Sequence, residues 1–130
     1  MNKPPPTGLL RKLLIVTAVI EAAAGLALVI LPGAAAWLLF GAASDDPGRS
    51  MARLAGVALV ALAIACRPTD DARWPQRGIL AYNAFAAVLL ISIGSAGTTV
   101  GWLLWPAVAL HVVMTALLAV LMFWKAATGP

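Results

Sequence analysis

The sequence predicts an all-α integral membrane protein, a four-helix bundle in a single domain that covers residues 1–130. Hydrophobic residues make up 62% of the chain and charged residues only 11%. Soluble domains are nearer half apolar and a quarter charged, so this composition fits lipid as the solvent. Helices that cross the roughly 30 Å hydrocarbon core need about 20 mainly apolar residues. Four apolar runs approach or reach that length, at about 9–31, 50–66, 78–96 and 100–124.

The first span runs from Leu9 to Leu31 and ends at Pro32-Gly33, a pair that stops or kinks a helix. The apolar stretch 34–40 that follows is too short to cross the membrane again. We expect it to form a short half-helix at the membrane interface or a bent extension of the first span. Residues 44–50, rich in Asp, Ser, Pro and Gly, then predict a loop.

The other three spans predict antiparallel pairing. The second span, 50–66, is short for a membrane helix and ends before Arg67-Pro68. The third and fourth spans, 78–96 and 100–124, are separated only by the turn 97–99, so we expect them to form an antiparallel hairpin. The bundle then consists of two antiparallel hairpins, the first of them made by the first and second spans.

Charge and tryptophan positions support this division. The positive-inside rule assigns the more basic side of a membrane protein to the cytoplasm. Seven basic residues fall on one side and two on the other; the seven are Lys3, Arg11, Lys12, Arg67, Arg73, Arg77 and Lys125, and the two are Arg49 and Arg53. Both termini are therefore predicted to be cytoplasmic, in a multi-pass protein of the inner (plasma) membrane. Tryptophans at span ends form interfacial belts, and all five lie there: Trp37, Trp74, Trp102, Trp105 and Trp124.

The beginning of the chain permits one alternative. Basic residues, an apolar run and then Ala22-Ala23-Ala24 have the order of a secretory signal peptide with a small-residue cleavage site. Glu21, however, would interrupt the end of the apolar region, and the apolar run resumes at Gly25. We therefore expect the first span to stay in the protein, which an intact-mass measurement would check.

The sequence carries no reaction motif. The net charge of +4 is spread over the ends of apolar runs and is not gathered on one face, so it does not indicate nucleic-acid binding. Cys66 and His111 are the only residues of their types, which excludes an intramolecular disulfide and a one-chain zinc site. No phosphate loop, hydrolase serine motif or HExxH occurs. No catalytic residue, metal ligand or cofactor is predicted, although one His is enough to ligate a haem or a pigment.

Polar residues within the spans form a candidate intramembrane site: Glu21, Arg53, Tyr82, Asn83 and His111. A carboxylate in hydrocarbon is costly, so Glu21 should be protonated, paired, or turned toward a protein or water interior. It shares one helix face with Thr17, Ala18, Ala24 and Gly25. Small residues favour close helix contact in lipid, so this face should turn into the bundle. We expect Arg53 to snorkel to the headgroups.

Helix geometry places two of these residues at similar depth. At 1.5 Å per residue, Glu21 lies about 12 Å and His111 about 20 Å from the cytoplasmic end of their spans. In the second span, small residues recur four apart, at Ala52 and Gly56 and at Ala61 and Ala65. This spacing predicts a second surface for close helix packing.

Several short patterns together suggest a relationship. They are Glu21 with Gly25 and Pro32, Leu38-Leu39-Phe40-Gly41, Arg53 with Gly56, Ala65-Cys66, Tyr82-Asn83, and Trp105-Pro106-Ala107-Val108 with Leu110-His111. Over nearly its whole length the chain resembles short uncharacterised bacterial four-span integral membrane proteins. The resemblance implies the same architecture and a shared polar core, and it carries no activity across. Small multidrug transporters and fluoride channels are similar only in size and topology.

Three hypotheses of function follow. The first is a structural or accessory subunit that self-associates as a homo-oligomer or joins a larger membrane complex, with the lipid bilayer as its surroundings. The second is a proton-coupled small-molecule or ion transporter or channel, in which Glu21 titrates and His111 relays or gates. The third is a protein that binds a haem or pigment, or acts on a lipid or quinone. Side chains in contact in a dry core favour the first, and side chains that line a cavity favour the second.

Overall fold

The computed structural model describes residues 8–66, 73–96 and 100–127, which form five helices. They are α1 (Gly8–Ile30), α2 (Pro32–Phe40), α3 (Asp46–Ala65), α4 (Arg73–Ser95) and α5 (Leu104–Ala127). All except α2 are long and apolar enough to span a membrane. The predicted all-helical class and the four candidate spans are thus confirmed. The short α2 is the helix expected after the first span.

The helix bounds differ from the predicted ones for local reasons. α3 begins at Asp46 and not at residue 50, because Asp45 caps it: the Asp45 carboxylate accepts a 2.8 Å hydrogen bond from the Gly48 N–H. Pro47 fits this first turn, where its missing N–H has no intrahelical partner to lose. α4 begins at Arg73, five residues earlier than predicted, and α5 begins at Leu104, four residues later. The predicted turn 97–99, Lys3 and Arg67 lie outside the described residues.

Two glycines let α1 and α3 pack backbone against backbone. A Cβ added at Gly56 would lie 2.5 Å from the Gly25 carbonyl oxygen, and one at Gly25 would lie 2.7 Å from the Gly56 carbonyl oxygen. No side chain fits between the two helices at this crossing, which is the close approach that small residues permit in lipid. The predictions that Gly25 and Gly56 lie on packing faces are confirmed.

α4 and α5 form a second antiparallel pair. Near the end of α4, Gly94 lies against Leu104 and Trp105 at the start of α5. Nearer the start of α4, Asn83 is hydrogen-bonded to His111 in the middle of α5. Most contacts between long helices fall within the α1–α3 pair or within the α4–α5 pair, and few join one pair to the other.

The two pairs are joined at their ends. At one end, a buried apolar cluster contains Leu10, Leu14, Cys66, Ile79 and Leu118, which come from all four long helices or the residue just beyond one. At the other end, the backbone N–H groups of Gly101 and Leu103 donate 3.0 Å hydrogen bonds to the carbonyls of Leu39 and Leu38 in α2. The space between the pairs is therefore bounded at both ends.

The substitution Gly56→Ala is expected to destabilise the protein, because the added methyl group would lie 2.5 Å from the Gly25 carbonyl oxygen. Overpacking of this kind costs about 1–3 kcal/mol of stability. Gly78→Ala is the matched control, since a Cβ at Gly78 in α4 would have nothing within 4 Å. Thermal unfolding in detergent, followed by circular dichroism, should give a lower midpoint for Gly56→Ala alone. Equal midpoints for the two variants would contradict the close approach.

Candidate functional site

A cavity of about 710 Å³ lies between the two helix pairs. α1, α2, α4 and α5 form its wall, and Leu59 of α3 adds to it. Nearly every lining side chain is apolar. The exceptions are Glu21, Tyr82 and His111, which lie together at the end away from α2. The cavity is therefore an apolar chamber with its polar groups at one end.

Glu21 is buried, with only 3% of its surface exposed. Its carboxylate accepts a hydrogen bond from the Tyr82 hydroxyl, which reaches it from α4. Among the described side chains, Arg49 and Asp46 form an ion pair, which lies at the exposed start of α3 and away from Glu21. Among the side chains that the structure describes, those of residues 8–66, 76–96 and 100–123, no Lys, Arg or His nitrogen lies within 4.0 Å of the Glu21 carboxylate. The Glu21 carboxylate thus has a hydrogen-bond donor beside it, but none of the described basic side chains neutralises its charge.

Asn83 fixes the ring of His111. Asn83 is 1% exposed, and its side-chain NH₂ group donates a 2.8 Å hydrogen bond to the Ile79 carbonyl. Its oxygen therefore faces His111, 2.9 Å from Nδ1. Because an amide oxygen can only accept, Nδ1 must carry the hydrogen. In the neutral ring, Nε2 is then the acceptor nitrogen.

Tyr82 connects the carboxylate to the imidazole. Its hydroxyl bonds Glu21, and its ring meets the His111 ring edge-on, with centroids 5.7 Å apart and planes at 81°. Glu21 and His111 themselves do not form an ion pair within 4.0 Å. The order Glu21–Tyr82–His111–Asn83 therefore links α1, α4 and α5.

The structure brings together four of the five candidate residues. Arg53 is the exception: its side chain is exposed on α3 and does not line the cavity. Thr17, one turn before Glu21, is buried; its hydroxyl donates to the Leu13 carbonyl at 2.9 Å and lies 3.6 Å from the sulfur of Met114. Thr17 thus adds a contact between α1 and α5 next to the candidate site.

Sequence reasoning did not identify the apolar wall of the cavity. Ala24 and Ala27 of α1 and Phe85 and Leu89 of α4 line it. Apolar side chains in a membrane span are equally suited to face lipid, another helix or a cavity, so their types carry no signal. Only the presence of polar residues in the spans, with Glu21 and His111 at similar depth, pointed to this region.

The arrangement can bind a proton or a cation. A carboxylate at the end of an apolar chamber gains little from solvent, so its charge calls for a proton or a positively charged ligand group. The rings of Tyr82 and Phe85 line the same chamber and offer π faces that attract cations. In the described part of the chain, no three His, Cys, Asp or Glu residues are grouped as a metal site would require.

The His111–Asn83 contact predicts an unusual tautomer. Nitrogen-15 NMR should show the single histidine, when neutral, with its hydrogen on Nδ1, because Asn83 holds it there. Asn83→Ala should release this preference. Thr115→Val is the matched control, since the Thr115 hydroxyl donates only to the His111 backbone carbonyl, at 2.7 Å. A wild-type ring protonated on Nε2 would refute the assigned hydrogen bond.

No protein-family model, curated protein or solved structure matches this chain. The resemblance to short bacterial four-span proteins therefore stays a prediction.

Proposed function

We propose that this chain is a proton-coupled small-molecule transporter of the inner membrane, multi-pass and with both termini in the cytoplasm. Its ligand is a lipophilic cation that occupies the cavity and replaces the proton on Glu21. The observation that carries the proposal is the position of Glu21 at the polar end of a cavity of about 710 Å³, with no described cation beside it. We include in this proposal the arrangement of the spans as a bundle of two hairpins and the resemblance to bacterial four-span proteins.

Competition at one carboxylate provides the coupling. A proton and a cationic ligand group each neutralise Glu21, and a single carboxylate in an apolar site does not need both. Ligand binding therefore releases a proton, and protonation releases the ligand. This linkage is the minimum that a carrier needs to exchange the two across a membrane.

The neighbours of Glu21 suit this exchange. Tyr82 donates to the carboxylate in its charged form and so holds it in place when the proton has left. His111 cannot reorient freely because Asn83 holds Nδ1. Its Nε2 is then a second acceptor at the polar end of the cavity, available to a hydrogen-bond donor on the ligand.

The alternative is the accessory or self-associating subunit, in which the same side chains only tie helices together. Such a role requires the hydrogen bonds among Glu21, Tyr82, His111 and Asn83 but not the cavity beside them. It also predicts that loss of the Glu21 charge leaves any ligand binding unchanged.

Tetraphenylphosphonium, a lipophilic cation, is expected to bind the detergent-purified protein and displace about one proton per chain at a pH where Glu21 is protonated. Calorimetric titrations in two buffers that differ in ionisation enthalpy measure this number. Glu21→Gln should bind the probe at least about tenfold more weakly, which corresponds to ~1.4 kcal/mol, and should release no proton.

Asp46→Asn is the control for this experiment, because it makes the same carboxylate-to-amide change at an exposed residue outside the cavity. It should behave as the wild type. If Glu21→Gln lowers only the thermal midpoint or the association of helices, and leaves binding and proton release unchanged, the accessory-subunit hypothesis is favoured and the transporter is not.

A further inference from the structure

The polar end of the cavity is closed along the helix axes. Leu14 lies seven residues before Glu21 in α1, and Leu118 lies seven residues after His111 in α5. Both belong to the buried apolar cluster, and neither exposes more than 1% of its surface. Seven residues of helix span about 10 Å. A molecule that approached from this end would have to pass through about that depth of packed side chains.

The opposite end is closed by α2. The segment before α5 is fastened to α2 by the hydrogen bonds from Gly101 to Leu39 and from Leu103 to Leu38. Gly101 lies so close to the Leu38 carbonyl that no side chain would fit at this position. The lining residues Ala34, Ala35, Leu38 and Leu39 all come from α2, which therefore covers this end.

One side of the cavity is open. Beyond the buried apolar cluster and the Glu21–Tyr82 contact, α1 and α4 make few contacts with each other, although both line the chamber. Along α1 the edge of the opening consists of Ala24 and Ala27, both exposed; along α4 it consists of Phe85 and Leu89, which are 75% and 61% exposed. We define these four residues as the lateral window. They lie within two candidate spans, so the hydrocarbon core of the bilayer is what the window faces.

We propose that the ligand enters and leaves through the lateral window, directly from the hydrocarbon core. The identity of the ligand as a lipophilic cation rests on the proposed function, whereas the route rests on the closed ends and the open side. Charge complementarity orients the ligand: its cationic group reaches Glu21, and its apolar body extends toward α2. The lining residues Glu21, in α1, and Leu31, just after α1, are ten residues apart, which gives the chamber a length of about 15 Å.

Two carbodiimides with opposite solubilities test the route without the ligand. A protonated carboxyl adds across one C=N bond of a carbodiimide: its oxygen bonds to the central carbon and its proton goes to a nitrogen. The resulting O-acylisourea rearranges to a stable N-acylurea, so the whole reagent is added and nothing leaves. Peptide mass mapping then reports the modification of Glu21, and Glu21→Gln gives the background.

In proteoliposomes, lipid-soluble dicyclohexylcarbodiimide is expected to modify Glu21, and a water-soluble carbodiimide with a dimethylaminopropyl group is not. Ala27→Phe fills the window and should slow the reaction with dicyclohexylcarbodiimide on the order of tenfold. Leu26→Phe is the matched control, because Leu26 is the next residue along α1, is 51% exposed and lies outside the cavity. It should react at the wild-type rate. Ala24→Leu is the second window variant, used if Ala27→Phe does not fold.

Three outcomes would overturn the route. They are equal modification of Glu21 by both reagents, a wild-type rate in the window variants, and a disulfide-linked dimer of Ala27→Cys in membranes. Such a dimer would mean that a second copy of the chain covers the window.

Failure of the route and failure of the proposed function are distinguishable. If dicyclohexylcarbodiimide reacts through the window but tetraphenylphosphonium displaces no proton, the route is supported and proton exchange is not. If tetraphenylphosphonium displaces a proton but the window variants react with dicyclohexylcarbodiimide at the wild-type rate, proton exchange is supported and the route is not.

Discussion

The carboxyl group of Glu21 in the middle of a membrane span is the constraint on which the rest of the structure depends. Because it cannot be left in hydrocarbon, one face of α1 must turn toward protein. That face is a buried stripe at four-residue spacing, Thr17, Glu21 and Gly25. The stripe serves two neighbours at once: Glu21 meets Tyr82 of α4, and Gly25 meets the backbone of α3 at Gly56. The orientation of α1 therefore sets both the tight helix pair and the polar end of the cavity.

The cavity follows from an uneven distribution of packing. In lipid, apolar side chains gain little by leaving the solvent, so helices associate through close backbone contact and hydrogen bonds. The chain places its glycine contacts inside each pair, Gly25 with Gly56 and Gly94 with the start of α5. Between the pairs it places one apolar cluster, the bonds of α2 and the contacts of Glu21 and Thr17. Along the rest of α1 and α4 the two helices make few contacts, so the two pairs stay apart there.

The sequence predicts the elements of this fold better than their meeting points. Apolar run length identifies the four spans, Pro32-Gly33 identifies the break before α2, and small-residue spacing identifies the buried face of α1. The partner of Glu21 is not predictable from the sequence: similar depth favours His111, whereas the rotation and packing of α4 and α5, which the sequence does not specify, select Tyr82. The early start of α3 is not predicted because Asp45, Asp46 and Pro47 indicate a loop, whereas Asp45 caps a helix and Asp46 and Pro47 form its first turn. The lateral window had no signal, since Ala27 and Phe85 have the composition of any lipid-facing surface.

The free energies involved distinguish a carboxyl group that only links two helices from one that binds and releases a proton. Hydrogen bonds between membrane helices contribute about 0.6 kcal/mol on average. An acidic residue at the centre of a span costs on the order of 2.5–3.5 kcal/mol. If Glu21 served only to accept the bond from Tyr82, glutamine would accept the same bond without the cost of a charge. The property that glutamine lacks is the ability to gain and lose a proton. That property has a use where the carboxyl faces a space in which another positive group can replace the proton, and Glu21 faces such a space.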